Sequence, residues 1–449
     1  MSKEIRLKKG LNINLLGESD KVYSTVPNPQ QYIIRPSDFH SLIPKLHIKE
    51  GDKVQAGTVI FSDKYNEFIK FCSPVSGQIT DVIRGEKRRI LKIVINPDDE
   101  IIYKKFSTFS PENLSREDII KHMLESGVWP FIRQRPYDII ANPNDHPKSI
   151  FISAFSSSPL SIDNDFALYG MNDLFQEGLN YIVKLSKGKT HLNIDGTTNV
   201  SGLFSKMNGV EINKIYGPHP AGNVGVQIHH IDPINKGDIV WTTTPFGLLQ
   251  IGRFFIEGKY DASKMISLVG SEVDKPKYYK CISGFLVSDL IKSSTSGDNR
   301  IISGNVLTGK SIGNDGYIGF YDNMITVIPE GNQHRFLGWI MPVLDRISFQ
   351  RSFGLLSFLN PNKKYSLDTN TNGELRAFVQ TGVFEKVLPM DILPTYLFKS
   401  ILAQDYDEME ELGIYELLEE DVALCEFVDV SKNELQKLLR NGLNLLIEG

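Results

Sequence analysis

Cysteine is scarce in this chain. Its 449 residues hold three, Cys72, Cys281 and Cys425, far apart and in no CxxC pair. A zinc site or an iron–sulfur cluster needs clustered thiolates, so neither is expected from this chain alone. Three isolated cysteines cannot build a disulfide framework either, which fits a reducing compartment. Neither sign of charge dominates: 49 Lys and Arg against 54 Asp and Glu leave −5, so no basic field invites nucleic acid. Long apolar runs are missing as well. The nearest approach, FLGWIMPVLDRISF at 336–349, is interrupted by Asp345 and Arg346 and falls short of the roughly 18 residues of a membrane span. The opening MSKEIRLKKG has no apolar stretch of the signal-peptide kind. No GxGxxG occurs, so the standard dinucleotide fingerprint is not encoded. The expectation is a soluble or peripheral protein of the cytoplasm.

The length suits three or four domains, and the texture divides the chain at about 1–105, 106–258, 259–330 and 331–449. In the first part, HIKEGDKVQAGTVIFSDK (47–64) and FCSPVSGQITDVIRGEK (71–87) are two β-rich halves with turns at Gly51, Gly57, Gly77 and Gly85, a spacing for a small barrel or sandwich. They are similar to the halves of a biotinyl- or lipoyl-carrier domain. A carrier needs its modified lysine at a hairpin tip. Lys64 stands ten positions before Pro74 and Lys70 four before it; neither matches the carrier spacing, and Met-Lys-Met is missing. Both lysines are rejected as modified sites, leaving a rigid sandwich.

In the second part, Ser115 with Asp118 forms a capping box for a helix that ends at Gly127. Strand signals at 150–156, 190–195 and 210–217 alternate with helical ones at 172–188 and 197–207, the pattern of a parallel α/β layer. From about 236 to 330, DIVWTTTP, LQIGRFFIEGKY, MISLVG, NRIISGNVLTG and YIGFYDNMITVIPEG read as short β runs. The final part is helical, with Asp391 expected to cap ILPTYLFKSILAQ and Ser431 with Glu434 to cap LQKLL.

Three stretches could carry chemistry. GPHPAGNVGVQIHHIDP (217–233) places His219, His229 and His230 in a Gly/Pro-rich loop after a parallel strand, where α/β folds bind ligands. It reads equally as a rigid joining loop. A metal set of His219 with His229 or His230 and Asp232 has nothing to enforce its geometry, and none is expected. Asp195-Gly196-Thr197-Thr198 is either an anion site at a helix start or a plain cap, and reads better as the cap. DYDEMEELGIYELLEE (405–420) holds eight acids and no Lys or Arg, a solvated face or a dock for a basic partner.

Taken together, KEGDKVQAGTVIFSDK, SPVSGQITDVIRGEKR, ESGVWPFIRQRP (125–136), GPHPAGNVGVQIHHIDP, FFIEGKYDASKMISLVGSEVDKP (254–276), NRIISGNVLTG (299–309), VFEKVLPMDILPT (383–395) and LGIYELLEEDVALCEFV (412–428) resemble the A subunit of the Na+-translocating NADH:quinone oxidoreductases (Na+-NQR), across almost the whole chain. The resemblance implies an N-terminal barrel-sandwich hybrid, a Rossmann-like α/β domain, a small β-grasp-like (SLBB) module and a C-terminal helical region. It implies a peripheral subunit on the cytoplasmic side of the bacterial inner membrane. The complex would couple NADH oxidation and quinone reduction to Na+ export, with the flavins (FAD, FMN, riboflavin) and the iron–sulfur centre in other subunits, and the membrane-embedded B subunit as chief partner. Flavin-binding relatives in the Rnf complex carry a Gly-rich loop where this chain has Ser126-Gly127-Val128-Trp129-Pro130, so an empty dinucleotide-like domain is expected. An Rnf-type electron-input subunit and a biotinyl or lipoyl carrier are the alternatives. For quinone, His219, His229 and His230 are candidate donors, and Trp241, Phe246 and Phe254 could wall a slot; these follow from residue type and proximity.

Overall fold

The computed structural model describes residues 2–27, 29–197, 203–291, 295, 297–331, 347, 349, 362–379 and 382–448. Most of FLGWIMPVLDRISF lies outside the described residues, as do Thr198 to Gly202 of the helix expected at 197–207; within that stretch, residues 204–206 form a single 3-10 turn.

The first two strands serve domains other than their own. β1 (Glu4–Arg6) and β2 (Asp20–Thr25) precede the barrel-sandwich strands β3 (Tyr32–Ile34), β4 (Pro44–Leu46), β5 (Lys53–Val54), β6 (Val59–Asp63), β7 (Lys70–Cys72), β8 (Gly77–Arg84) and β9 (Ile90–Pro97). These seven form a four-stranded sheet, β3-β9-β8-β5, and a three-stranded sheet, β4-β6-β7. Alternating apolar residues turn inward: Ile60, Phe61, Val75, Ile79, Ile93 and Ile95 are wholly buried. Gly77 has φ 157°, and a Cβ there would lie 2.0 Å from the Asn96 carbonyl oxygen, so the strands meet only because this residue is glycine. Lys64 is exposed at the β6–β7 hairpin, while Lys70 lies half-buried inside β7.

Seven strands make the α/β sheet: β10 (Arg133–Arg135), β11 (Ile139–Ile140), β12 (Ser149–Ser153), β13 (Lys189–Asp195), β14 (Glu211–Tyr216) and β15 (Val240–Thr243), joined by β1 in the order β1-β14-β13-β12-β15-β10-β11. β1, β14, β13, β12 and β15 run parallel. Helix α1 (Arg116–Ser126) starts at the expected Ser115–Asp118 capping box and stops at Gly127, φ 80°. One turn, α2 (Asn164–Ala167), precedes α3 (Asn172–Ile182); α4 (Val224–Ile231) and α5 (Pro245–Glu257) follow. LQIGRFFIEGKY, expected as a β run, belongs mostly to α5. Thr244 caps that helix and Pro245 opens it, and its apolar residues run all round because it is buried on every side. A Cβ on Gly252 would lie 1.9 Å from the Leu174 carbonyl oxygen, and one on Gly178 2.3 Å from that of Leu248, so the two glycines let α3 and α5 touch backbone to backbone.

The third sheet runs β19-β18-β20-β16-β17-β2, from β16 (Ser263–Val269), β17 (Lys277–Ile282), β18 (Asn299–Ser303), β19 (Lys310–Ser311) and β20 (Met324–Pro329). β2 pairs in parallel with β17, and the short α6 (Ser288–Ile291) follows β17. The C-terminal region is helical: α7 (Phe384–Val387), α8 (Pro394–Ala403), α9 (Tyr406–Glu411), α10 (Glu419–Val428) and α11 (Leu435–Glu448). Two caps differ from expectation. Leu393, with no side-chain bond, precedes α8; Asp391 lies two residues before it and donates its N–H to His229 Nε2 at 3.0 Å. Ahead of α11, Asp429 accepts from the N–H groups of Ser431 and Asn433 in place of a Ser431–Glu434 box. Among the described residues no helix is long and apolar enough to cross a membrane.

Candidate functional site

β14 ends at Tyr216, and the chain then turns through Gly217-Pro218-His219-Pro220 into α4. Beneath α4 a buried line of polar side chains crosses three parallel strands. Asn213 Nδ2 donates to Asn193 Oδ1 at 2.8 Å, Asn193 Nδ2 to Gln227 Oε1 at 2.8 Å, and Gln227 Nε2 to Ser153 Oγ at 2.9 Å. Ser153 Oγ in turn donates to the Gly222 carbonyl. Each amide is satisfied inside an apolar layer, so the line fixes the register of strands and helix.

The three histidines part company here. His219 is buried at 3 % exposure; its Nδ1 lies 3.0 Å from Ser157 Oγ, and its Nε2 is buried without a partner. Burial pushes its pKa down to about 4, so the ring is neutral at pH 7. His229 is spoken for on both nitrogens, by Glu416 Oε2 at 2.8 Å and by the Asp391 N–H. His230 Nε2–H donates to the Pro389 carbonyl at 2.7 Å. The expected wall does not assemble beside them. Trp241 is wholly buried and donates to Gln134 Oε1. Phe254 packs edge-on against Phe106, and Phe246 is buried in α5. Of the six, His219 alone has a buried polar atom without a partner; His230, exposed, has only its Nε2 engaged. Among the described residues no three His, Cys, Asp or Glu gather as metal ligands would. Asp195 Oδ1 accepts from the N–H and the hydroxyl of Thr197, a local turn of the cap kind.

What covers the loop is the C-terminal region. Arg135, 2 % exposed, donates to Asp421 Oδ2 at 3.1 Å and to Glu420 Oε1 at 2.6 Å. Asn223 donates to the Glu420 carbonyl. A Cβ on Gly225 would sit 2.2 Å from Asp421 Oδ2 and 2.4 Å from Arg135 Nη1. The first turn of α4, where a helix would favour an anion, is thus filled by the protein's own carboxylate. Burial raises the Asp421 pKa, against the pull of Arg135. A second pair, Arg440 to both oxygens of Glu419, ties α11 to α10, and Arg440 also reaches the Tyr137 carbonyl at 2.8 Å. The sequence reading missed Arg135, Asp421, Asn193 and Asn213. The signal for the asparagines was there: each interrupts an apolar strand at a central position.

The turn after α1 is equally full. A Cβ on Gly127 would lie 2.6 Å from Cys72 Sγ of the barrel, and Trp129, wholly buried, donates to the Ala141 carbonyl. Nearby, Arg35, Asp38, Phe39, Phe71, Tyr260 and Phe320 line a cleft of about 30 Å³ where the three domains meet, room for water but not for a quinone ring. Burial raises the Asp38 pKa despite its pairing with Arg35. It also holds the thiols of Cys72 and Cys281 up at about 12, which makes them inert.

Family models match the chain in three places: residues 5–98 as the NqrA N-terminal barrel-sandwich hybrid domain, 114–260 as the NqrA second alpha/beta domain, and 265–313 as the NQRA C-terminal domain, an SLBB model. The chain is 36% identical over 444 residues to the A subunit of the Na(+)-translocating NADH-quinone reductase of Hahella chejuensis, covering 98% of each chain. It is 35% identical over 446 residues to that of Neisseria meningitidis (98% of this chain, 99% of the other) and 36% identical over 446 to that of Haemophilus influenzae, covering 98% of each. With barrel-sandwich, α/β and SLBB domains in sequence and relatives matched nearly end to end, this chain belongs to the family of A subunits of the Na(+)-translocating NADH-quinone reductases, as one component of an oxidoreductase complex.

Proposed function

We propose that the chain is the peripheral subunit on the cytoplasmic face of a respiratory sodium pump, which couples NADH oxidation and quinone reduction to Na+ export. In this reading it works as a rigid scaffold for the other subunits, the membrane-embedded B subunit chief among them. Flavins and the iron–sulfur centre belong to those neighbours. The observation that carries the scaffold role is the filling of the loop after β14. The ligand-binding edge of the parallel sheet is occupied by Asp421, Glu420, Arg135 and two committed histidines. A part in quinone contact rests on His219, whose Nε2 is buried without a hydrogen-bond partner.

Two measurements test this. Purified alone, the chain should carry no stoichiometric flavin, and a complex lacking it should lose NADH:quinone turnover; bound flavin at one per chain overturns the scaffold reading. Titration of a quinone analogue against His219→Ala and His230→Ala separates the histidines. Weaker binding in the first variant only is expected, and unchanged affinity in both removes the quinone role.

A further inference from the structure

The acidic run at 405–420 divides in the folded chain. Its inner members are used: Glu410 pairs with Lys236, Glu416 with His229, Glu419 with Arg440 and Glu420 with Arg135. Its outer members, Asp407, Glu408 and Glu411, are exposed on α9, and among the described residues none has a cation at ion-pair distance. Asp405 is exposed beside them, its side chain accepting from the Glu408 N–H.

Next to these acids lies α8, PTYLFKSILA, with one charged residue, Lys399. Its inner face is core: Leu397 and Phe398 are wholly buried and Ile401 is 3 % exposed. Its outer face is not polar in compensation. Leu402 is 60 % exposed, Tyr396 44 %, Leu393 just before the helix 53 %, and Tyr406 at the start of α9 44 %. At about 100° per residue, Tyr396, Ala403, Lys399 and Leu402 span an arc of about 120°. Apolar side chains flanking a single exposed lysine, Lys399, on the outer face suit a helix between two layers, and among the described residues this one has a single layer.

We infer that the outer face of α8, rimmed by Asp405, Asp407, Glu408 and Glu411, is the docking surface for a basic amphipathic segment of another subunit of the complex. Charge selects the occupant. A second copy of this chain packed symmetrically would set these acids against one another across the two-fold axis, and an anionic lipid surface would repel them. A segment carrying apolar residues between Lys or Arg satisfies both the stripe and its rim. The inference rests on the subunit reading above, which supplies a multi-subunit setting.

The test uses the assembled complex. A photoreactive benzoylphenylalanine replaces Leu402, or, as a control far from this surface, Tyr65 on the barrel hairpin. After irradiation the crosslinked peptide is identified by mass spectrometry. The expected product from position 402 is a peptide of another subunit with Lys or Arg flanking apolar residues. In parallel, Asp407→Lys with Glu411→Lys should weaken retention of the chain in the complex at least tenfold and make it sensitive to lower salt. Crosslinking to this chain itself, to lipid or to an acidic peptide overturns the inference, as does unchanged retention of the charge-reversed variant. Co-purification of the unsubstituted chain reads the subunit role separately, so the two can fail independently.

Discussion

The barrel-sandwich and the joint between the α/β sheet and the C-terminal helices are both buried, yet they cohere by different physics. In the barrel, Ile60, Phe61, Ile79, Ile93 and Ile95 are excluded from water, and each contributes by area, without direction. In the joint, Arg135, Asp421, Asn223, His229 and His230 meet named partners. Apolar packing forgives small changes of shape and ignores pH. A buried ion pair yields less net stability, because both charges lost their water, but it punishes the removal of one partner. Arg135 and Asp421, as deeply buried as the barrel core, are therefore far more sensitive to single changes.

That contrast can be broken outright. Arg135→Met leaves Asp421 charged and uncompensated at 0 % side-chain exposure, so urea unfolding should show a loss of about 3–5 kcal/mol. Adding Asp421→Leu should restore most of it. A single variant costing no more than a core methyl would mean that charge does not hold the joint. A second test sharpens the contrast through pH. His219 titrates near 6.5 in the unfolded chain and at about 4 when folded, so the unfolded state takes up the proton first. Stability is unaffected above pH 6.5, falls as the pH drops towards 4, and is flat below it. The loss attributable to His219 is about 3 kcal/mol. It is read as the difference in slope between the parent and His219→Asn; parallel curves would place the histidine in water. The smallest effect belongs to the barrel. Ile79→Val removes one buried methylene and should cost about 0.5–1.5 kcal/mol, with no dependence on pH between 4 and 7. A clear pH dependence there would erase the distinction.

Much of this was legible beforehand. Turn glycines and alternating apolar residues outlined the barrel, and Ser115 with Asp118 marked the start of α1, because both signals are local. Other signals misled for a physical reason. The apolar run in LQIGRFFIEGKY lacks the polar stripe of a surface helix, because α5 is enclosed on every side. Asp391 looked like a cap, but the helix starts only after Leu393, and the Asp391 N–H meets His229, 162 residues away in sequence. At the candidate site, residue type picked out three histidines without telling which nitrogens were committed. That depended on Glu416, Asp391 and Pro389, far along the chain, which engage His229 and His230.

By itself the sequence determined the class of most segments, the family, and the want of clustered thiolates, since these depend on neighbours and composition. Tertiary structure decided the rest. It sent β1 to the α/β sheet and β2 to the third sheet, placed Asp421 over the first turn of α4, and left one face of α8 with no cover among the described residues. Those outcomes rest on contacts between residues hundreds of positions apart, where burial and pairing are set by which surfaces meet.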